Sequence, residues 1–158
     1  MAVRSGLGDW PGLVAEKLID IDFTPMCSPG FLSARGGRLA PGDLLTLPVI
    51  SPHDEWWNIW LRQAGVDAPD GPIRPGFRLD SQANEGAAAM AGQGVAMLTP
   101  FFWPSALAEG RLVRPFTQVS ALGHAYWLVC PEHRRGLPKI KRFRQWLVTE
   151  GARDIAGG

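Results

Sequence analysis

The side chains that could do chemistry are few and scattered. His53-Asp54-Glu55 sets an imidazole beside two carboxylates, a group suited to metal ligation or to general-base work. A metal site needs a second cluster, and the other two histidines, His124 and His133, stand alone. Cys27 beside a histidine would be a nucleophile pair, but no local signature surrounds it. Cys27 and Cys130 both lie in apolar stretches, where cysteine is usually a small buried hydrophobe. The chain has no G-x-S-x-G elbow. Gly92-Gln93-Gly94 opens like a phosphate-binding loop, yet Met97 holds the third glycine position, and the segment follows an expected helix and precedes a strand. A helix end and a tight turn explain it better. The basic run Arg134, Arg135, Lys139, Lys141, Arg142 and Arg144 overlies an intact apolar stripe, so it is read as a solvated helix face, not a nucleic-acid site. No catalytic, metal or cofactor constellation results, and the chain is expected not to be an enzyme.

What remains is a set of polar groups at strand ends. Arg4-Ser5, Ser51-Pro52-His53, Asp80-Ser81 and Thr99-Pro100-Phe101 each put a small polar side chain beside Pro or an aromatic. In open α/β sheets ligands bind outside the carboxyl ends of the strands. A few placed hydrogen bonds and an apolar wall suit a small organic ligand. Each of these groups alone is equally a helix cap or a turn; together they predict a pocket.

The elements that must position them follow from pattern and punctuation. Strands are predicted over 1–4, 18–23, 47–51, 77–79, 95–98, 111–116 and 125–129. Pro29 to Arg38 reads as a turn or short helix, and Pro41 starts one helical turn. Asp54 caps a helix over 55–64 that Gly65 ends; Trp56, Trp57, Trp60 and Leu61 share one face of it. Asp80 or Ser81 caps a second helix through Ala91, whose Gly86, Ala87, Ala88 and Ala89 permit close approach of a neighbour. A short helix is predicted over 101–109. Pro138 starts the last helix, with an apolar stripe of Ile140, Phe143, Trp146 and Leu147. Short strands alternating with helices make an α/β protein.

Composition bounds the rest. At 158 residues and 17.2 kDa the chain is one ordinary domain in size and needs no staples for a core. Its net charge of +1 argues against a free-standing nucleic-acid binder. Two cysteines cannot make a disulfide framework or a four-cysteine zinc site. The N-terminal residues have no apolar run of the signal-peptide kind, and no segment approaches the length that spans a bilayer, so a cytoplasmic location is expected. Seven Trp is a high count, and Trp most often fills core and interface volume.

Several blocks in order carry a family resemblance. They are Ala2-Val3-Arg4-Ser5-Gly6-Leu7-Gly8-Asp9-Trp10-Pro11-Gly12-Leu13, Pro25-Met26-Cys27-Ser28-Pro29, Pro41-Gly42-Asp43-Leu44, Trp60-Leu61 with Ala64-Gly65-Val66, Ala87-Ala88 with Gly92-Gln93-Gly94-Val95-Ala96, Gly110-Arg111-Leu112-Val113-Arg114-Pro115-Phe116, and Phe143-Arg144-Gln145-Trp146-Leu147. They span nearly the whole chain. The sequence resembles the effector-binding domain of LysR-type transcriptional regulators, in the branch related to the glycine-cleavage activator.

The resemblance implies a two-lobed fold like type 2 periplasmic binding proteins, truncated at its N-terminus. Residues 21–98 would be the second lobe, and residues 1–20 and 99–158 the remaining part of the first. The DNA-binding helix-turn-helix would be absent from this chain. An incomplete first lobe implies a chain that is partner-stabilised or prone to associate. The family's effector sits between lobes, which implies an effector site of Arg4, Ser5, Ser51, Pro52, His53, Ser81, Thr99, Pro100 and Phe101. Ser51, Ser81 and Thr99 would offer hydrogen bonds, and His53 and Arg4 would meet a carboxylate; a small carboxylate or an amino acid is the expected effector. Family dimers pack lobes side by side, and Trp56, Trp57 and Trp60 make a candidate dimer surface, although the same face would equally cover the sheet. Homo-oligomers are expected, DNA being reached only through the absent helix-turn-helix. Two other functions stay open: a stand-alone periplasmic-type binding module, disfavoured by the lack of a signal peptide, and a small enzyme using His53 and Asp54.

Overall fold

In the computed structural model, which describes residues 1–76 and 78–156, the chain runs β1 (Ala2–Gly6), β2 (Leu13–Met26), α1 (Pro29–Ser33), α2 (Glu55–Gln63), α3 (Gln82–Met90), β3 (Ala96–Leu98), α4 (Pro104–Ala108), β4 (Ser120–Pro131) and α5 (Pro138–Ala156). Short 3-10 turns fall at Pro41–Leu45, Pro100–Phe102 and Glu132–Arg134. The hydrogen-bonded strand order is β1-β4-β2-β3. The chain divides into two compact units, residues 1–21 with 121–158 and residues 22–120.

The larger unit, residues 22–120, is built around β3. Its residues are buried on both faces, and successive side chains of a strand point opposite ways. Val95 and Met97 enter one apolar cluster with Phe23, Cys27, Phe31, Leu44, Trp57, Trp60 and Leu61. Ala96 and Leu98 enter another with Met26, Ala89, Ala106 and Leu112. A strand wet on neither side needs a layer on each face. The first layer is α2, which contributes Trp57, Trp60 and Leu61; the second is α3 with α4, which contribute Ala89 and Ala106. β3 pairs antiparallel with the end of β2 in the register Thr24↔Leu98, Pro25↔Met97 and Met26↔Ala96.

Two indoles lock the first layer. Trp57 Nε1 donates to the carbonyl of Ile50 at 3.3 Å, and Trp60 Nε1 to that of Gln118 at 3.3 Å. Gln118 returns a bond to the Trp60 carbonyl at 3.0 Å. Trp57 and Trp60 are fully buried, and Phe23 stacks on Trp56 with centroids 4.5 Å apart. The expected dimer surface is corrected accordingly: Trp57 and Trp60 present no surface to a partner, because they fill the core between α2 and the sheet. Trp56 alone stays half-buried.

Three expected strands are revised. Residues 47–51 make a single parallel bridge, Val49 to Val95, and no strand, because Pro48 precedes the bridge and Ser51 turns away at φ +51°. Residues 111–116 likewise give only the bridge from Val113 to Cys27. Here the N–H groups of Arg111 and Leu112 turn back to the carbonyl of Ala106 and close the end of α4. Of the expected strand over 77–79, Phe77 lies outside the described residues, and Arg78 and Leu79 form no strand. Residues 99–120, grouped with the chain ends from sequence, pack in the unit of 22–98. Ala106 and Leu112 are buried against Met26 and Leu98, and the Gln118 carbonyl also accepts from Thr24 Oγ1 at 2.8 Å.

The smaller unit holds β1 antiparallel to β4, from Ala2↔Val129 to Gly6↔Ala125. Trp127 Nε1 donates to the Gly6 carbonyl at 2.9 Å, and a Cβ at Gly8, where φ is +93°, would lie 2.5 Å from the Trp127 ring. Arg144 on α5 grips Glu16 with both its Nε and its Nη2. The expected stripe of α5 is only partly covered. Ile140 is buried, whereas Phe143 and Trp146 are exposed, as are Val3 and Leu7. The rest of the basic run is exposed, as its pattern predicts.

Gly86 tests this packing directly. It lies inside α3, where Ala is favoured over Gly by about 1 kcal/mol. A Cβ at Gly86 would overlap the Trp103 ring, however. Overpacking of a core costs about 1–3 kcal/mol, so the clash is expected to win. Gly86→Ala should lower stability in urea unfolding; a variant more stable than the natural protein would contradict this packing.

Candidate functional site

The site is assembled in the larger unit, where two helices begin. Ser51 ends the segment that bridges to Val95, and Thr99 follows β3, so two chain segments running in parallel finish together. α2 starts just after the first, at its cap Asp54, whose Oδ1 accepts from the N–H of Trp56 at 3.0 Å. α3 starts at Ser81, whose hydroxyl accepts from the N–H of Asn84 at 3.4 Å. Gln82, the first residue of α3, clasps Thr99. Its Oε1 accepts from the Thr99 N–H at 3.0 Å, and its Nε2 donates to Thr99 Oγ1 at 3.2 Å. The start of α3 is thereby tied to the carboxyl end of β3.

Between these helix starts lies a cavity of about 480 Å³ lined by Asp54, Arg78, Leu79, Asp80, Ser81, Gln82 and Glu85. Small-ligand sites run from roughly 300 to 1,000 Å³. Its charges are unequal, with three carboxylates to one guanidinium. Asp80 accepts from Asn84 Nδ2 at 2.6 Å. Glu85 is only 8% exposed. Burial pushes its carboxyl above the usual range; the Ser51 hydroxyl hydrogen bond opposes this, Asp54 adds to it and Arg78 opposes it. Asp54 is also raised, first by burial, with the Trp56 N–H and Arg78 opposing and Glu55 adding.

The sequence-derived site residues take separate places. Arg4 and Ser5 belong to the smaller unit, where both are exposed and Arg4 lies over the Trp10 ring at 5.1 Å. The other seven belong to the larger unit. Ser81 lines the cavity. Ser51 is buried beneath it; its Oγ accepts from the N–H of Leu79 at 3.0 Å and its hydroxyl serves Glu85. Thr99 is fully buried with its hydroxyl and N–H held by Gln82, so it orients Gln82 instead of meeting a ligand itself. Pro52 is buried and joins Ser51 in lining a neighbouring cavity of about 260 Å³. His53 is exposed with Nε2 2.6 Å from the Gly76 carbonyl oxygen. Pro100 and Phe101 are half-buried, and Phe101 meets Phe102 edge to face.

Sequence reasoning missed Arg78, Gln82 and Glu85 and gave Asp54 only a cap, a metal or an enzyme role. The available signal was position: Asp54 caps α2, Arg78 precedes the cap of α3, and Gln82 and Glu85 lie in the first turn of α3. Among the described residues no group of three His, Cys, Asp or Glu is placed to hold a metal ion. Burial pushes the Cys27 thiol up to about 11 against a small opposing effect of Arg35, so it stays a protonated core residue at neutral pH. Gly92 has φ +77° and ends α3, and a Cβ at Gly94 would lie 2.6 Å from the Pro48 carbonyl oxygen. The glycine pair therefore serves the helix end and a close backbone approach, as its order in the chain suggests.

The Glu85 shift has a sign in stability. A carboxyl whose pKa rises on folding contributes stability that is fully present below its unfolded pKa and is lost as pH rises through the folded value. Glu85→Gln removes that titration and keeps the size and a donor for the Ser51 oxygen. The melting temperature of the variant relative to the natural protein should rise between about pH 4 and pH 7. A relative melting temperature that falls over that interval would contradict the buried charge.

Comparison with known proteins agrees with the architecture. Residues 1–152 match the family model described as the LysR substrate binding domain. The chain is 34% identical over 160 residues to the glycine cleavage system transcriptional activator of Escherichia coli K12, covering 98% of this chain and 50% of that protein. It is 33% identical over 155 residues to the transcriptional activator AmpR of Rhodobacter capsulatus, covering 96% of this chain and 50% of that protein. The chain thus spans about half the length of the curated relatives it matches, and these are transcriptional activators, not enzymes. The effector domain of AmpR from Pseudomonas aeruginosa superposes with a TM-score of 0.79 at 28% identity, covering 98% of this chain and 73% of that one. The α/β fold expected from the sequence is the fold of these effector domains. The chain belongs to the LysR substrate-binding domain family.

Proposed function

We propose that this chain is the effector-sensing part of a LysR-type transcriptional regulator and that it binds a small molecule in the cavity between the starts of α2 and α3. The observation that carries the proposal is the convergence, in a member of this family, of two helix starts on a polar cavity of about 480 Å³, with the start of α3 tied through Gln82 to the carboxyl end of β3. In the whole regulator the ligand would bias one arrangement of the domain over another, by its difference in affinity for the two. That arrangement would be read out by a DNA-binding helix-turn-helix in a cytoplasmic homo-oligomer. Residues 21–98 correspond in this reading to the second lobe of the family's fold; Ser81 lines the cavity, and Ser51 and Thr99 hold its lining groups from beneath. The stand-alone periplasmic-type module gains no support, because the matched relatives are named as transcriptional activators. No helix among the described residues is long and apolar enough to cross a membrane.

The test is a thermal-shift screen of the purified chain against amino acids, small carboxylates and amines. A ligand at about 100 times its Kd adds about 2.7 kcal/mol to stability, which is several degrees in melting temperature for a domain of this size. At least one compound is expected to give such a shift, and Asp54→Asn is expected to abolish it. A screen in which nothing shifts the melting temperature would remove the sensing function.

A further inference from the structure

The charges around the cavity narrow the kind of molecule it takes. Helix N-termini attract anions, and two helices begin here. Each start is already answered from within the chain. Asp54 caps α2, while Asp80 precedes the Ser81 cap of α3 and Glu85 sits in its first turn. An incoming anion would meet three carboxylates and a single guanidinium. At the helix starts the place for negative charge is taken, which leaves Arg78 as the one cationic side chain lining the cavity.

The place for positive charge is open. Asp54 Oδ1 accepts from the Trp56 N–H, and the Ser51 hydroxyl lies where it favours the charged form of Glu85. Both keep accepting capacity. Arg78 is exposed, and among the described residues no salt bridge joins it to Asp54 or Glu85. Opposite charges face one cavity without closing on each other. An ammonium brings three donors to such acceptors, and a carboxylate matches the two-pronged donor face of a guanidinium.

We infer that the cavity selects a free α-amino acid, whose ammonium donates to Asp54 and Glu85 and whose carboxylate is received by Arg78. This rests on the sensing function proposed above. The test measures binding of the whole chain to the standard L-amino acids by thermal shift and then calorimetry. Each ligand found is compared with its deaminated acid and its decarboxylated amine, as L-alanine with propionate and ethylamine. The amino acid is expected to bind, and each analogue to bind at least about tenfold more weakly. Arg78→Ala and Glu85→Gln should each raise Kd at least about tenfold, the first with little change in melting temperature because Arg78 is exposed. If an acid binds as tightly as its amino acid, the sensing function stands and this inference fails. If an amine without a carboxylate binds as tightly, Arg78 has no such role and the inference fails also. If no compound of any class binds, both fail together.

Discussion

A three-residue strand with no wet face governs this molecule. Ala96, Met97 and Leu98 are buried, and alternation sends neighbours to opposite sides. Each side therefore needs its own apolar layer, and each layer is a helix that must start near the end of a strand. Trp57 and Trp60 close one side, and Gly86 and Ala89 admit close packing on the other. Two helix starts then fall beside the residues that leave the sheet, Ser51 and Thr99. The cavity is a consequence of that core, which explains why its floor is made of buried, fully engaged groups and its rim of charged ones.

The same constraint divides the work among polar residues. Thr99 and Ser51 are too deep to meet a solute; they hold Gln82, Leu79 and Glu85 in place. The residues one or two positions further along, at the start of α2 and α3, are left to face the cavity. A buried carboxylate such as Glu85 costs stability unless it is paired, and here it is only partly compensated. Retaining a costly group at the lip of a cavity is common where binding matters.

Much of this was legible in the residues. Asp54, Ser81, Gly65 and Gly92 announce where α2 and α3 begin and end, and the structure places the caps and helix ends as expected. The strand-end rule led to Ser51, Ser81 and Thr99, of which Ser81 lines the cavity and the other two are buried beneath it. It could not tell a ligand-facing group from one whose hydrogen bonds are already spent, since that depends on partners such as Gln82, which lies 17 positions from Thr99. The short strands at 47–51 and 111–116 were over-read because apolar runs do not reveal whether a partner strand continues beyond one bridge. The Trp face of α2 was ambiguous from sequence for a similar reason: an apolar stripe buries itself against whatever is nearest, and here that is the core.

The most direct test of the cavity as a sensing site is an amide-resonance titration of the whole chain with the tightest-binding amino acid. Saturable shifts should centre on Asp54 and on Arg78 to Glu85, with Ser51 and Thr99 following through the groups they hold. Saturable shifts that leave these residues unmoved and centre instead on the surface around Glu16, Ile140 and Arg144 would place binding elsewhere and contradict the site.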